Sequence, residues 1–197
     1  MALNSFQTLR SFIIRTPERI EQCDFCSAAL EDQHQHLVEP LSRRLVCACN
    51  GCAMLFASEG TTYRRIPRRA RSLGDFQMTD AQWDSLMIPI NMAFFFKSSA
   101  ANKVVALYPS PAGPIESLVP LETWDEIARA NPSLKTMEPD VEALLVNRTG
   151  QEYYLLPIDK CFELVGLMRM HWHGLPGGSD VWERIGQFFG GLQRRHA

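Results

Sequence analysis

No stretch of the 197-residue chain approaches the roughly 20 consecutive apolar residues that a helix needs to cross a bilayer, which excludes a helical membrane protein. The basic excess of a protein that coats nucleic acid is missing too, since the formal net charge is −2. Residues 1–6 lack a basic start followed by a long apolar run, so no Sec-type leader is expected and a cytoplasmic protein is. Rossmann and P-loop fingerprints are absent; the glycine-rich residues 174–178 lack the lysine and hydroxyl that phosphate cradling needs. Neither Ser110 nor Ser117 sits in a G-x-S-x-G elbow, and the carboxylates show no spacing of a paired acid and base. The expected role is therefore non-enzymatic. Cysteine is scarce outside one window: five of the six lie between Cys23 and Cys52, and only Cys161 lies elsewhere. A secreted disulfide framework would spread them so that bridges staple distant loops, and this chain concentrates them instead.

What the window contains is Cys23-Asp24-Phe25-Cys26, then His34-Gln35-His36, then Cys47-Ala48-Cys49-Asn50-Gly51-Cys52. Two C-x2-C pairs are what a tetrahedral thiolate site requires, because each pair forms a tight knuckle presenting two sulfurs to one ion. The expected metal ligands are Cys23, Cys26, Cys49 and Cys52. Cys47 stands two residues before Cys49, so on a continuing strand both would share a face. Cys47 is thus an alternate for Cys49, or joins His34 and His36, the other alternates, around a second ion. The plain reading of the three is a buried neighbour and a strand surface. Zinc is the expected cofactor, since four thiolates suit a redox-inert ion that stabilises a core-poor module. Iron is the alternative, although Cys47-Ala48 ahead of the second pair breaks a simple rubredoxin knuckle.

Residues 36–40 and 44–47 are short β-prone runs with a turn over 39–42, and residues 53–57 suit a short helix. Knuckle, hairpin, second knuckle and helix make a treble-clef or zinc-ribbon-like module. The expected organisation is an N-terminal arm and finger over 1–60, with Phe12, Ile13 and Ile14 available to pack, a basic connector over 61–79, and an α+β domain over 80–197. In the last part, residues 92–96 and 104–108 form a hairpin, and residues 141–146 and 153–156 a second one. The proline-rich residues 109–114 are expected to be irregular. A helix around Leu121, Trp124 and Ile127, with Thr123 and Glu126 spaced as a capping box, ends at Asn131 before Pro132. Another helix covers about 160–171. The last is marked by Val181, Ile185, Phe188, Phe189 and Leu192 on one face, with Ser179 as cap and Arg194 and Arg195 near its end. Strand pairs separated by helices predict an antiparallel sheet with helices on one face.

Other candidate sites have simpler explanations. His171 and His173 diverge on a helix, and a histidine near a helix C-terminus is favoured by the dipole. Arg64, Arg65, Arg68, Arg69 and Arg71 could meet nucleic-acid phosphates, but aromatic interleaving is limited to Tyr63. A solvated linker or a docking patch for an acidic partner fits better. Cys161 opens a helix, where its thiol could be activated, but no histidine–acid partner is identifiable and a small core residue is the expectation.

Together with the cysteine window, residues 88–96, 108–113, 139–145 and 157–166 resemble an uncharacterised bacterial family of cysteine-cluster proteins encoded beside actinobacterial-type NiFe hydrogenases. The likeness runs from about Cys23 to Phe189. It implies a metal-binding accessory protein for hydrogenase assembly, maturation or electron-transfer organisation, with hydrogenase subunits or maturation proteins as partners. The alternatives are an iron-containing redox carrier serving hydrogenase and a nucleic-acid-binding zinc-finger regulator.

Overall fold

The computed structural model describes residues 21–58, 60–174 and 177–194. The expected N-terminal arm with Phe12, Ile13 and Ile14, and Arg195 of the last helix, lie outside the described residues. The first elements are β1 (Gln35–Glu39), β2 (Arg44–Ala48), α1 (Asn50–Phe56), β3 (Arg64–Arg65), β4 (Arg71–Ser72) and α2 (Asp80–Ser85). There follow β5 (Met92–Ser98), β6 (Lys103–Ser110), β7 (Gly113–Ser117), α3 (Leu121–Ala130) and a 3-10 turn (Pro132–Thr136). The chain continues with β8 (Glu142–Asn147), β9 (Glu152–Pro157), α4 (Ile158–His171) and α5 (Gly178–Arg194). Two antiparallel sheets result: a small one in the order β2-β1-β3 and a six-stranded one in the order β4-β9-β8-β5-β6-β7.

Helices cover both faces of the large sheet, which corrects the expected one-sided arrangement. Strand residues alternate between the faces. Phe94, Phe96, Leu145, Tyr154 and Leu156 point to the side covered by α4 and α5, where Cys161, Leu164, Val181, Ile185 and Phe189 pack. Ala93, Phe95, Leu144, Val146 and Leu155 point to the other side, against Trp83 of α2 and Trp124 and Ile127 of α3. The clue lay in the continuous apolar run 92–96: a strand with one wet face alternates with polar residues, and a run without them needs cover on both sides.

Three local expectations are also revised. Residues 109–114 form a hairpin end, with Pro109 opposite Pro114 in the β6–β7 ladder. β7 is the outermost strand and β5 pairs with β6 only as far as Leu107, so neither missing amide interrupts a central ladder. Helix α3 starts after Pro120, which places Thr123 inside the first turn, bonded to the Ser85 hydroxyl instead of capping. The capping box lies at α2, where the Gln82 amide donates to Thr79 Oγ1 and the Thr79 amide donates to Gln82 Oε1. Helix α5 begins at Gly178, leaving Ser179 within its first turn.

The basic stretch after residue 60 is stitched to the body. β3 extends the small sheet beside β1, and β4 pairs with β9 at the edge of the large one. Four of its five arginines, all exposed, have partners on the body of the chain. Arg64 donates to Asp140, Arg69 donates to Glu142 and pairs with Glu138, Arg71 donates to the Thr136 hydroxyl, and Arg68 donates to the carbonyls of Gln33 and His34. Asp140 and Glu142 are 3% and 1% exposed, so these carboxylates need a cation or donor beside them. For Arg64 and Arg69 the facing carboxylates belong to the same chain.

Two outcomes test this packing. Phe95→Ala, which empties a site between the rings of Trp83 and Trp124, should cost about 3–5 kcal/mol in urea unfolding. Arg69→Ala should lower the thermal midpoint, and adding Glu142→Gln should recover part of the loss, because a neutral amide needs no guanidinium. No recovery would mean that Arg69 contributes through packing alone.

Candidate metal centre

The first knuckle is built by backbone geometry. The Ser27 amide donates to the Cys23 carbonyl and the Cys23 amide to the Ala28 carbonyl, with Ser27 at φ 59°, so the chain reverses tightly between Gln22 and Ala29. Asp24 fastens this loop to the open edge of β2: its amide donates to the Cys47 carbonyl and its carboxylate accepts from the Cys47 amide. The second pair straddles a helix start. Cys49 has extended backbone and precedes α1, and its sulfur accepts from the Cys52 amide at 3.4 Å.

The sulfurs of Cys23, Cys26, Cys49 and Cys52 converge, all within 4.8 Å of one another, and those of Cys26 and Cys49 are 3.8 Å apart. Sulfurs placed at 2.3 Å around a tetrahedral ion stand about 3.8 Å from each other, so this edge already has the length of a metal site. The four expected ligands are thus brought together by the fold and could hold a metal ion. Cys23 is buried, Cys49 and Cys52 are half-buried and Cys26 is exposed. Leu37, Val46, Ala48 and Ala53 form the small apolar cluster packed with Cys23.

The alternates fall elsewhere. Along β1 and β2, Leu37, Val46 and Ala48 face the sulfurs, whereas the cross-strand pair His36 and Cys47 shares the opposite face with Val38 and Leu45. Pairing ends at Ala48 and the chain turns into α1, so Cys49 departs from the face that Cys47 keeps. Cys47 therefore groups with His34 and His36, one ligand atom of each lying within 4.8 Å of the others. The two imidazoles border a cavity of about 720 Å³ together with Asp32, Arg68, Asp159 and Lys160. Asp159, at the start of α4, accepts from His36 Nδ1 at 2.6 Å. Sequence reasoning missed Asp159 and Asp24 as supports. Asp159 is 123 positions from His36, and no local spacing signals such a pair.

The remaining candidates are structural. Cys161 lies in the main core, where burial and then the Asp159 charge push its thiol well above the usual range, so it is a packed residue and not a reactive one. His171 pairs with Asp180 of α5 at 2.6 Å, and this bond is the main reason that the Asp180 carboxyl is held down. Among the described residues, neither His171 nor His173 joins a metal-ligand group.

Charge within the sulfur cluster is uneven. Burial pushes the Cys23 thiol up, but the amides of Cys49, Cys26 and Phe25, with the Cys26 thiol, outweigh it and lower the pKa to about 6. Burial and then the thiols of Cys49, Cys26 and Cys23 push Cys52 up to about 12. One thiolate suppresses ionisation of its neighbours until a cation neutralises it. The cluster therefore carries less than its full negative charge until a cation arrives. Zinc added to metal-free protein should release protons, that of Cys52 among them, and bind more tightly as pH rises and more weakly as it falls. Calorimetry in buffers of different ionisation enthalpy measures the release; binding that is independent of pH between 6 and 8 would contradict this account.

Among the described residues no helix is long and apolar enough to cross a membrane. No curated protein and no solved structure matches the chain. A family model does match, over residues 22–196, a span that holds both C-x2-C pairs, His34 and His36, and both sheets. The chain belongs to that family, described as a family of unknown function (DUF5947).

Proposed function

We propose that the protein is a non-enzymatic metal-binding accessory protein in which zinc is held by Cys23, Cys26, Cys49 and Cys52. The observation that carries this reading is the convergence of four thiols from two knuckles, with Cys26 and Cys49 at the separation of a tetrahedral edge. First knuckle, β1–β2 hairpin and a second pair at the start of a helix follow the order of a treble-clef finger, and we assign the module to that type. Zinc is favoured over iron because the small apolar cluster around Cys23 is too slight to order the module by burial alone, and a redox-inert ion supplies that order outright.

The partners we propose are NiFe-hydrogenase subunits or maturation proteins, on the strength of the family resemblance carried by the sequence. Helix α1, which begins at the metal ligands, leaves Met54 and Leu55 each 70% exposed among the described residues, and apolar surface of this kind suits a protein partner. A nucleic-acid regulator is less well supported, because Arg64, Arg68, Arg69 and Arg71 are each engaged by groups of the same chain.

Metal analysis of purified protein tests the first half. Zinc should survive dialysis, and Cys26→Ser or Cys49→Ser should each remove one equivalent and lower the thermal midpoint. Stoichiometric iron with visible absorption would instead favour the redox carrier. For the second half, hydrogenase subunits should co-purify with the tagged protein. A clean deletion that leaves hydrogen uptake and subunit maturation untouched would sink the accessory role.

A further inference from the structure

We propose a second, separate metal site, in which His34 Nε2, His36 Nε2 and Cys47 Sγ bind a divalent transition ion of the zinc type. Hydrogen bonds at the far side of each ring fix where its hydrogen sits. His34 Nδ1 lies 2.9 Å from the Glu31 carbonyl and His36 Nδ1 lies 2.6 Å from the Asp159 carboxylate. Both partners only accept, so each Nδ1 carries its hydrogen and, in the neutral ring, each Nε2 presents a lone pair. The two Nε2 atoms face each other at 3.1 Å. Lone pairs so close need a cation or a proton between them.

The spacing and surroundings suit a metal. Two nitrogens 2.0–2.1 Å from one tetrahedral ion are about 3.3 Å apart, close to the separation of this pair. Cys47, the cross-strand partner of His36, brings a sulfur to the same group. A ring that donates its other nitrogen to a carboxylate or a backbone carbonyl is the usual support of a metal-bound histidine, and both rings have one. Negative charge is also at hand, since Glu21 lies 3.5 Å from His34 Nε2. Three protein ligands leave one tetrahedral position. His34 and His36 border the 720 Å³ cavity, which gives water or a small anion an approach to the two rings. β1 and β2 thus hold one ion-binding group on each face, and the second site is independent of the four-thiol reading.

The rival is a proton shared between the two rings as a single imidazolium. Zinc content of the full chain, stripped with chelator, reloaded with Zn2+ and dialysed, separates them. We expect two equivalents, falling to one in His34→Ala, His36→Ala or Cys26→Ser. X-ray absorption of the Cys26→Ser protein should show a nitrogen-rich shell at about 2.0–2.1 Å with a single sulfur near 2.3 Å. Asp159→Asn, which keeps the ring in place but weakens its support, should loosen the second ion by roughly 10–100-fold with an unchanged circular dichroism spectrum. One equivalent in the full chain, all-sulfur ligation and no response to His36→Ala or Asp159→Asn would overturn the site and leave the shared proton. A single equivalent abolished by His36→Ala and untouched by Cys26→Ser would uphold it while refuting zinc at the four thiols.

Discussion

Alternation along the five residues of β1 is the constraint on which the rest of the molecule depends. Leu37 turns to the sulfur cluster, and its neighbour Val38 turns into the main core with Ile66, Leu156 and Leu192. One strand is therefore a wall shared by the small module and the large one. A slip of one residue in its pairing with β2 would exchange the faces, sending His36 toward the sulfurs and Leu37 toward Asp159. Register here decides which polar groups meet as well as which side chains are buried.

Strong polar contacts hold the two modules in that relation. Asp140 and Glu142, at the entrance to β8, are almost fully buried and receive Arg64 and Arg69 from the stretch that joins the sheets. Arg43, in the β1–β2 turn, pairs with Glu116 of β7 and lies over the Phe96 ring. Arg43 and Lys103 together outweigh the burial that would otherwise raise the Glu116 carboxyl, and hold it low. Surface arginine pairs contribute little singly, but a guanidinium facing a buried carboxylate removes a desolvation cost that the fold would otherwise carry. The basic run is a fastening between modules.

Much of this was legible locally. The 92–96 and 104–108 runs, the 141–146 and 153–156 pair and the 181–192 stripe each announce their element, because period and turn chemistry act over a few residues. Where local pattern misleads, a longer-range partner takes over. The arginines read as solvated because their acidic partners lie some 70 positions away. Residues 109–114 read as irregular because a sequence does not show which strand will be outermost, and an outer strand tolerates proline. Thr123 read as a cap because its spacing to Glu126 fits, although Pro120 sets the helix start one turn earlier.

By itself the sequence determined the pairs of thiols. Two residues between cysteines make a knuckle through local hydrogen bonds, and Cys23 with Cys26, or Cys49 with Cys52, needs no tertiary partner to present two sulfurs together. That the two pairs meet, that Cys47 sides with the histidines, and that Asp159 supports His36 from 123 positions away were decided only by the tertiary structure. The physical reason is that a strand's alternation specifies which side chains share a face but not what the fold brings against that face.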